Sequence, residues 1–246
     1  MKIQGEKTIE LTNTTSLEIE DQSSVVILIT PKSDSKVSVK IGKNCRVSSF
    51  IIQQDTFSLE QINSIGENSQ INTFALWLGS GTGKILNHLD GKKSQAYDVE
   101  IFIQNKENKI HLDSVLKHGN DDTKGNILIK GIVKDNASVK IDGMIKIEKN
   151  GGGAESFLSE HVMLLNPGAH ATANPELEIE NNDVSSRHAA SISQIDEEKI
   201  FYLISRGVNR EQARNMIIYG FLESAINKIE DEKIRESFME KILNSV

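Results

Sequence analysis

Short runs of alternating apolar and polar residues recur through the first 194 residues of the chain, with polar turns between them. Alternation with a period of two places one face of a strand in a core, so each run predicts a β-strand. The clearest runs are residues 25–29, 36–41, 126–130 and 137–141. The segments between them contain Gly, Asn and Asp, which favour tight turns. The pattern therefore predicts a mainly β fold for this part of the chain.

Some of these turns resemble one another. Residues 42–47 and 66–71 share the order Gly, charged residue, Asn, small residue, polar residue, aliphatic residue, and residues 134–139 repeat it after the first position. The first two turns are 24 residues apart, which is about one coil of a parallel β-helix. Asn suits such corners because it tolerates a left-handed backbone. We predict a right-handed parallel β-helix over residues 1–194, with a twisted β-sandwich as the alternative because strand spacing does not separate the two.

The hydrophobic period becomes helical after Gln194. Asp196 is the predicted N-cap of a first helix that ends at Gly207, a capping box at Asn209 opens a second helix, and a third begins near Asp231. The apolar stripe expected for the second helix is Ala213, Met216, Ile217, Gly220, Phe221 and Ala225. We predict a small C-terminal helical domain over residues 195–246, whose stripes pack against each other or against a partner.

Composition and charge exclude several classes of function. Hydrophobic residues make up 37% of the chain and charged residues 26%, as in ordinary globular proteins. The net charge of −7 argues against nucleic-acid binding and against a polybasic membrane contact. The polar N-terminus does not resemble a signal peptide, and the apolar runs are too short to span a bilayer. With Cys45 as the single cysteine, we expect no internal disulfide, a cytoplasmic location, and neither nucleic acid nor membrane as a partner.

No motif in the sequence indicates catalysis. The glycine-rich segment 79–84 looks like a phosphate-binding loop, but its lysine is followed by Ile85 instead of Ser or Thr, so we predict a turn between strands. None of the six histidines has metalloprotease spacing, and we expect His88, His111 and His118 at turns or on polar strand faces. Neither a Ser–His–Asp pattern nor a convincing pair of carboxylates is present. We therefore predict that the chain is not an enzyme.

Residues 164–229, about a quarter of the chain, resemble the C-terminal core of the SufB/SufD family. The matching segments are residues 175–179, 186–198, 200–208 and 213–221, and the second of these opens with Ser186-Arg187-His188-Ala189-Ala190. The resemblance implies a β-helical scaffold on which iron–sulfur clusters are built together with SufC, an ABC-type ATPase. It also implies dimerisation through the β-helix and docking of the C-terminal helices onto the ATPase.

The same resemblance suggests metal-binding residues. His188 matches the family's histidine at the cluster-forming dimer interface, and imidazole is a suitable iron ligand. The alternative is a structural histidine at a strand end, whose ring nitrogens have their hydrogen-bond partners within the chain. His170 matches a Gly-Ala-His sequence of the SufB branch. Cys45, on a predicted strand edge, is either a small buried hydrophobe or a ligand for a cluster or sulfur.

The helical segment carries the residues expected to contact the ATPase, which are Phe201, Tyr202, Arg206, Gly207 and Phe221. Tyr202 and Arg206 are the stronger candidates because their polar ends are available. Phe201 and Phe221 could instead fill the helical core.

The chain departs from the SufB pattern at two points. SufB-type subunits carry cysteines in the last coils and a Glu directly after the interface histidine, whereas this chain has Ala189 there and no cysteine beyond Cys45. The context of His188 is more similar to SufD, and the usual N-terminal helical region is missing, so we expect a short form of the family. Any iron–sulfur cluster is then transient and shared with a partner chain instead of permanently bound.

We therefore predict a scaffold or adaptor subunit with two partners, a SufC-type ATPase and either a second copy of the chain or a SufB-like subunit. One alternative is an adaptor that regulates the ATPase without a cluster of its own. Another is a carbohydrate-active β-helix enzyme, which would need acidic or basic groups clustered on one face.

Overall fold

A computed structural model describes all 246 residues as sixteen β-strands followed by three α-helices. The strands are β1 (Lys2–Ile3), β2 (Glu6–Leu11), β3 (Thr15–Ile19), β4 (Ser24–Ile29), β5 (Ser35–Ile41), β6 (Arg46–Gln53), β7 (Leu59–Ile65), β8 (Gln70–Trp77), β9 (Gly81–Leu89), β10 (Gln95–Gln104), β11 (Lys109–His118), β12 (Lys124–Val133), β13 (Ser138–Ile147), β14 (Ala154–Leu164), β15 (His170–Ile179) and β16 (Val184–Gln194). The helices are α1 (Glu197–Ser205), α2 (Arg210–Ile226) and α3 (Glu232–Leu243).

The strands alternate between two parallel sheets. The odd-numbered strands form sheet A, in the order β1 to β15, and the even-numbered strands form sheet B, in the order β2 to β16. Each coil of the chain thus adds one strand to each sheet, which is the arrangement of a parallel β-helix. The β-helix prediction is confirmed, and the sandwich alternative was wrong because sandwich sheets are antiparallel.

The coils widen along the chain. Glu6 pairs with Ser24, which is 18 residues later, whereas Lys124 pairs with Glu155, which is 31 residues later. The 24-residue spacing found in the sequence is therefore the width of the middle coils only. Because the number of residues per coil changes along the chain, a repeat of fixed length can be recognised in the sequence only over a few coils.

Corner residues adopt the left-handed backbone that the turn pattern predicted, at two of the three turns. Asn44 and Asn68 have φ of 54° and 55°, in the left-handed region. The third turn, at residues 134–139, precedes a strand of sheet A instead of sheet B, and its left-handed residue is Asp135, not Asn136. The prediction was right for the first two turns and wrong for the third, because the two corners of a coil bend the backbone at different positions.

The interior between the sheets is mainly aliphatic, and it contains Trp77. Of the glycine-rich segment 79–84, only the first two residues are a turn, because β9 begins at Gly81. The prediction of a turn was therefore wrong for residues 81–84. Gly83 faces the interior, where a Cβ would lie 2.8 Å from the ring of Trp77. This glycine makes room for the indole ring and has no phosphate-loop geometry.

The predicted helix caps are confirmed. The Asp196 side chain accepts hydrogen bonds from the backbone N–H groups at the start of α1, Asn209 does so for α2, and Asp231 for α3. Gly207 follows α1 with φ of 90°, which favours glycine after a helix. None of the three helices combines the length and hydropathy that a membrane crossing requires. The cytoplasmic location stays a prediction.

The helices cover the outer face of sheet B and form a second hydrophobic cluster with it. Phe50 of β6 stacks on Phe74 of β8, with ring centroids 5.3 Å apart, and Phe238 of α3 meets Phe50 edge-on at 6.5 Å. Ile218 and Leu222 of α2 are buried in the same cluster. The helical stripes thus pack against this chain's own sheet. β16 ends at Gln194, α1 begins at Glu197, and the strands and helices share this cluster. The division into two domains at this point stays a prediction.

The predicted apolar stripe of α2 was partly wrong. Ala213 and Ala225 are buried as expected, but Met216 is 53% exposed and Gly220 is also exposed. Ile218 and Leu222 take their place in the core. Because α2 has apolar residues on more than one side, its sequence does not tell which side will face the sheet.

Candidate functional site

The last coil leaves one end of the β-helix open. β15 and β16 are the terminal strands of sheets A and B, so each has a neighbour on one side only. Most of their residues are exposed, in contrast to the preceding strands. The free edges present unpaired backbone N–H and C=O groups that a further strand can bind. We call this surface, formed by β15 and β16, the open end.

His188 lies in the middle of the open end. It pairs in register with Leu158, a core residue of β14, and so occupies an inward-facing position of β16. Its imidazole is exposed, because no further coil covers it. The Nδ1 atom is 3.2 Å from the carbonyl oxygen of Pro175, which can only accept, so Nδ1 carries the proton. The lone pair of Nε2 is therefore available to a metal ion.

His170 lies in the same coil but at a different place. It is the first residue of β15 and is exposed. Pro175, which His188 contacts, is five residues further along β15, or roughly 16 Å along a strand. With Lys109, His111 and Lys140, His170 lines a groove on the side of sheet A. The structure does not place His170 beside His188.

Cys45 is buried far from the open end. Its thiol donates to the carbonyl oxygen of Glu20 at 3.1 Å, and the residue belongs to the interior cluster. It directly precedes β6, five strands from β16, which corresponds to roughly 24 Å. No group of three or more His, Cys, Asp or Glu side chains in the chain is arranged to hold a metal ion. A metal at His188 would therefore need ligands from elsewhere.

The expectation for His118 was wrong. This residue occupies an inward-facing position of β11 and is completely buried, whereas it was expected at a turn or on a polar face. Its Nδ1 is 2.8 Å from the hydroxyl oxygen of Thr123, and burial lowers its pKa to about 4. Every second residue of β11 faces inward, including Leu112, Ser114 and Leu116. Counting along the strand in steps of two from these residues would have predicted that His118 faces inward as well.

Three carboxyl groups inside the β-helix were not singled out from the sequence. Asp98 and Glu100 on β10 and Glu160 on β14 are at most 2% exposed. All three stand at inward-facing positions of strands that are apolar on both faces. A charged residue at such a position is the signal that could have identified them.

Two of these groups have hydrogen-bond donors. Asn87 donates to Asp98 at 2.5 Å, and burial followed by the charge of Glu100 raises the pKa of Asp98 to about 8. The indole N–H of Trp77 donates to Glu100 at 2.7 Å, Ser114 donates to its other oxygen, and burial raises the pKa of Glu100 to about 7. These groups belong to a polar network in the middle coils.

Glu160 differs from both. Neither of its carboxyl oxygens has a hydrogen-bond partner. Its side chain crosses the interior to Gly143 of β13, where a Cβ would collide with Oε1. Burial, followed by the negative charges of Asp142 and Glu100, raises the pKa of Glu160 to about 7. Among the three carboxyl groups, Glu160 is closest to the open end, since β14 is the neighbour of β16.

The helical candidates form an outward surface on α1. Phe201 is 73% exposed and Tyr202 57% exposed, so the core-filling alternative does not hold for Phe201. The guanidinium of Arg206 lies 5.2 Å from the ring centroid of Tyr202, which orients both side chains at the surface. Gly207 follows directly and turns the chain toward α2. We call Phe201, Tyr202, Arg206 and Gly207 the α1 surface.

Phe221 does not belong to the α1 surface. It is half-buried on α2 and packs against the cluster between the helices and sheet B. The ammonium of Lys130, from β12, lies 4.7 Å from the centroid of its ring. The geometry agrees with the core-filling alternative for this residue.

Comparison with known families gives a match over most of the chain. Residues 3–221 match the family described as the SUF system FeS cluster assembly, SufBD core domain. The match includes strands β2 to β16 completely and the second of the two residues of β1, together with α1 and most of α2.

Curated relatives carry consistent descriptions. The iron–sulfur cluster assembly protein SufD of Bacillus subtilis is 36% identical over 50% of this chain, and SufD of Escherichia coli is 28% identical over 65%. A SufBD family iron–sulfur cluster assembly protein of Mycobacterium leprae is 34% identical over 54%. The aligned regions cover 28%, 39% and 36% of these relatives' own lengths, so the chain corresponds to less than half of each.

Proposed function

The chain belongs to the SufBD core domain family of the SUF system for iron–sulfur cluster assembly, and we propose that it acts there as a non-catalytic scaffold or adaptor subunit. In this proposal it pairs with another subunit through the open end and docks onto a SufC-type ABC ATPase through its C-terminal helices. Iron and sulfide are the cargo, and the cluster is transient.

The observation that carries the proposal is the state of His188. Its Nδ1 proton is held by the Pro175 carbonyl, its Nε2 is free, and no coil covers it. A metal-binding histidine in proteins usually donates its other ring nitrogen to an oxygen in this way. The same geometry is harder to explain for a histidine with a purely structural role, because such a residue would bury the imidazole or use both nitrogens.

Pairing through the open end would complete the site. One imidazole does not hold iron by itself, and the chain offers no group of three ligands. The free edges of β15 and β16 can each receive a strand of a partner, which would extend both sheets and bring the partner's side chains beside His188. The partner is either a second copy of this chain or a SufB-like subunit with cysteines.

Docking of the ATPase is assigned to the α1 surface. Exposed aromatic side chains beside an arginine are typical of protein–protein interfaces. α1 continues into α2, whose Ile218 and Leu222 are buried against sheet B. A movement of the ATPase would therefore reach the β-helix through a packed helix instead of a flexible linker.

A second candidate function is an adaptor that regulates the ATPase and carries no cluster. The observation in its favour is that Cys45, the single thiol, is buried at roughly 24 Å from His188 by strand count. In that case the cysteine-bearing partner would supply every ligand.

Anaerobic reconstitution with iron and sulfide separates the two candidates. The visible spectrum is followed for the wild type and for His188→Ala, each with and without the ATPase and a SufB-like partner. A charge-transfer band that weakens in His188→Ala supports a scaffold, whereas bands of equal intensity in both proteins favour the adaptor. His170→Ala is the matched control, because the structure places this histidine away from His188 in the same coil.

Copurification with the ATPase tests the helical surface. We expect Arg206→Ala to reduce binding at least tenfold, because it removes a charge and the stacking partner of Tyr202 from the contact. Arg46→Ala is the control, since Arg46 is an exposed arginine at the start of β6. Unchanged binding of Arg206→Ala would move the docking surface elsewhere on the chain.

A further inference from the structure

Glu160 is an unusual group in the interior of the β-helix. A carboxylate that is removed from water costs free energy unless a donor or a cation compensates it. Asp98 and Glu100 have donors at 2.5 Å and 2.7 Å, while both oxygens of Glu160 lack one. Glu160 is also completely buried. The fold keeps this group and leaves it uncompensated.

The register places Glu160 directly beneath the open end. Glu160 pairs with Ala190 of β16, a small residue, and His188 is two residues earlier on the same strand. The α-carbons of Glu160 and His188 are thus diagonal neighbours, roughly 7–8 Å apart. No residue of a further coil lies above Ala190.

The two side chains also end at neighbouring points of sheet A. Glu160 extends across the interior to Gly143, and His188 extends across it to the Pro175 carbonyl. Gly143 and Pro175 are themselves paired in the register of β13 and β15. The absence of a side chain at Gly143 is what allows the carboxyl group to occupy this place, because a Cβ there would collide with Oε1.

We propose that Glu160 is a positioning residue for iron, supplying from beneath the last coil the negative charge that holds an iron(II) ion at His188. The inference rests on the proposed function, because it takes His188 as the iron-binding group. Glu160 acts through the electric field and does not need to reach the metal. A unit charge at about 8 Å from a divalent cation, in an effective dielectric constant of about 20, changes the affinity by up to roughly a thousandfold. Screening by solvent at the open end reduces this effect, so a tenfold change is the smallest that we expect.

The charges that face Glu160 do not cancel its effect. Asp142 on β13 and Glu100 on β10 are negative when ionised, and both act on its pKa in the same direction. Lys140 forms an ion pair with Asp142 on the outer face of sheet A, so its charge is balanced by that carboxylate, and His111 also hydrogen-bonds to Asp142. His188 is the group on β16 that faces the same space.

The test is the affinity for Fe²⁺ of the full chain in complex with a SufB-like partner, because His188 alone does not hold iron. It is measured anaerobically at pH 8 by competition with a chromophoric chelator, and the affinity of the partner alone is subtracted. The proteins are the wild type, Glu160→Gln, Glu160→Asp, His188→Ala and the matched control Glu100→Gln. Glu100 is a buried carboxyl group two strands further from the open end. It pairs with Ile129 of β12, which in turn pairs with Glu160, so the two carboxyl groups stand at the same level along their strands. Unfolding by urea is measured on each protein as a second readout.

We expect Glu160→Gln to bind Fe²⁺ about tenfold or more weakly, with Glu160→Asp closer to the wild type and Glu100→Gln unchanged. If Glu160 had a purely structural role, the Fe²⁺ affinity of a variant would fall only when its free energy of unfolding also falls. We expect Glu160→Gln to be at least as stable as the wild type at this pH. Should Glu160→Gln fail to fold, Glu160→Met takes its place, because Met also removes the charge and suits the apolar interior. Affinity retained in Glu160→Asp and lost in Glu160→Met then supports the role of the charge, and equal affinity in the two variants overturns it.

The inference is overturned if Glu160→Gln binds Fe²⁺ within twofold of the wild type while His188→Ala binds weakly. If His188→Ala also binds like the wild type, the iron site itself is not at His188, and the proposed scaffold function fails together with the inference. Equal losses in Glu160→Gln and Glu100→Gln would show a general effect of interior charge and would likewise overturn the specific role of Glu160.

Discussion

Replacing Glu160 by Gln should stabilise the protein at alkaline pH and have much less effect at acidic pH. Burial and the nearby negative charges raise the pKa of Glu160 from 4.5 to about 7. In the unfolded chain this group loses its proton near pH 4.5, whereas in the folded chain it keeps the proton up to about pH 7. The folded state therefore binds more protons in this window, and the free energy of unfolding falls as the pH rises through it.

The size of the effect follows from the pKa values. At about 1.36 kcal/mol per pKa unit, a rise from 4.5 to about 7 corresponds to about 3.4 kcal/mol in total, of which about 2.5 kcal/mol develops between pH 5 and pH 8. Gln has nearly the same shape and no proton to lose. We therefore expect the stability difference between Glu160→Gln and the wild type to increase by about 2–3 kcal/mol between these two pH values.

The assay is urea unfolding of both proteins at pH 5 and at pH 8, followed by circular dichroism. Glu155→Gln serves as the control on the same strand, since Glu155 is exposed and pairs with Lys124 at 2.8 Å. An exposed ion pair of this kind contributes about 0–1 kcal/mol, so the control should change little at either pH. A difference between Glu160→Gln and wild type that is the same at pH 5 and pH 8 would refute the assignment of a buried, raised-pKa carboxyl group.

Three further predictions test the packing and the turns. Leu222→Ala should lower the free energy of unfolding by about 2–5 kcal/mol because it opens a cavity between α2 and sheet B, whereas Met216→Ala, on the exposed side, should cost less than about 1 kcal/mol in the same urea titration. Asn87→Ala should cost about 1–3 kcal/mol at neutral pH by removing the donor to buried Asp98, as checked by thermal unfolding against Asn87→Asp. Asn44→Ala should cost about 1 kcal/mol because of the left-handed φ of 54°, and Asn44→Gly should be close to neutral; equal stability of both would contradict a strained corner.

Local features of the sequence were sufficient for the type of fold. Alternation with a period of two, turns with Asn at the corners and capping residues before each helix depend on neighbours along the chain. The helix starts at Asp196, Asn209 and Asp231 were therefore predictable, as was the β-helix from two related turns 24 residues apart. The family could likewise be identified from the ordered segments between residues 175 and 221.

The candidate site was less accessible to sequence reasoning. His188 was identified by resemblance, but its free Nε2 depends on the Pro175 carbonyl on a different strand. Residue type alone could not show that Cys45 and His170 lie far from it, because their separation depends on how many coils intervene and on position along the strand. Glu160 carries no motif at all, and its role follows from the register that sets it beside Ala190 and Gly143.

The sequence by itself determined most of the strands and corners and the starts of the helices in this protein, because hydrogen bonds and backbone preferences act over a few residues. The tertiary structure alone decided what covers each face. Val99, Ile101 and Ile103 are apolar on the outer side of β10, and they could have met a second sheet, a partner or the chain's own helices. Hydrophobic burial has no direction, so only the complete packing shows that the helices cover sheet B and that the last coil stays open at His188.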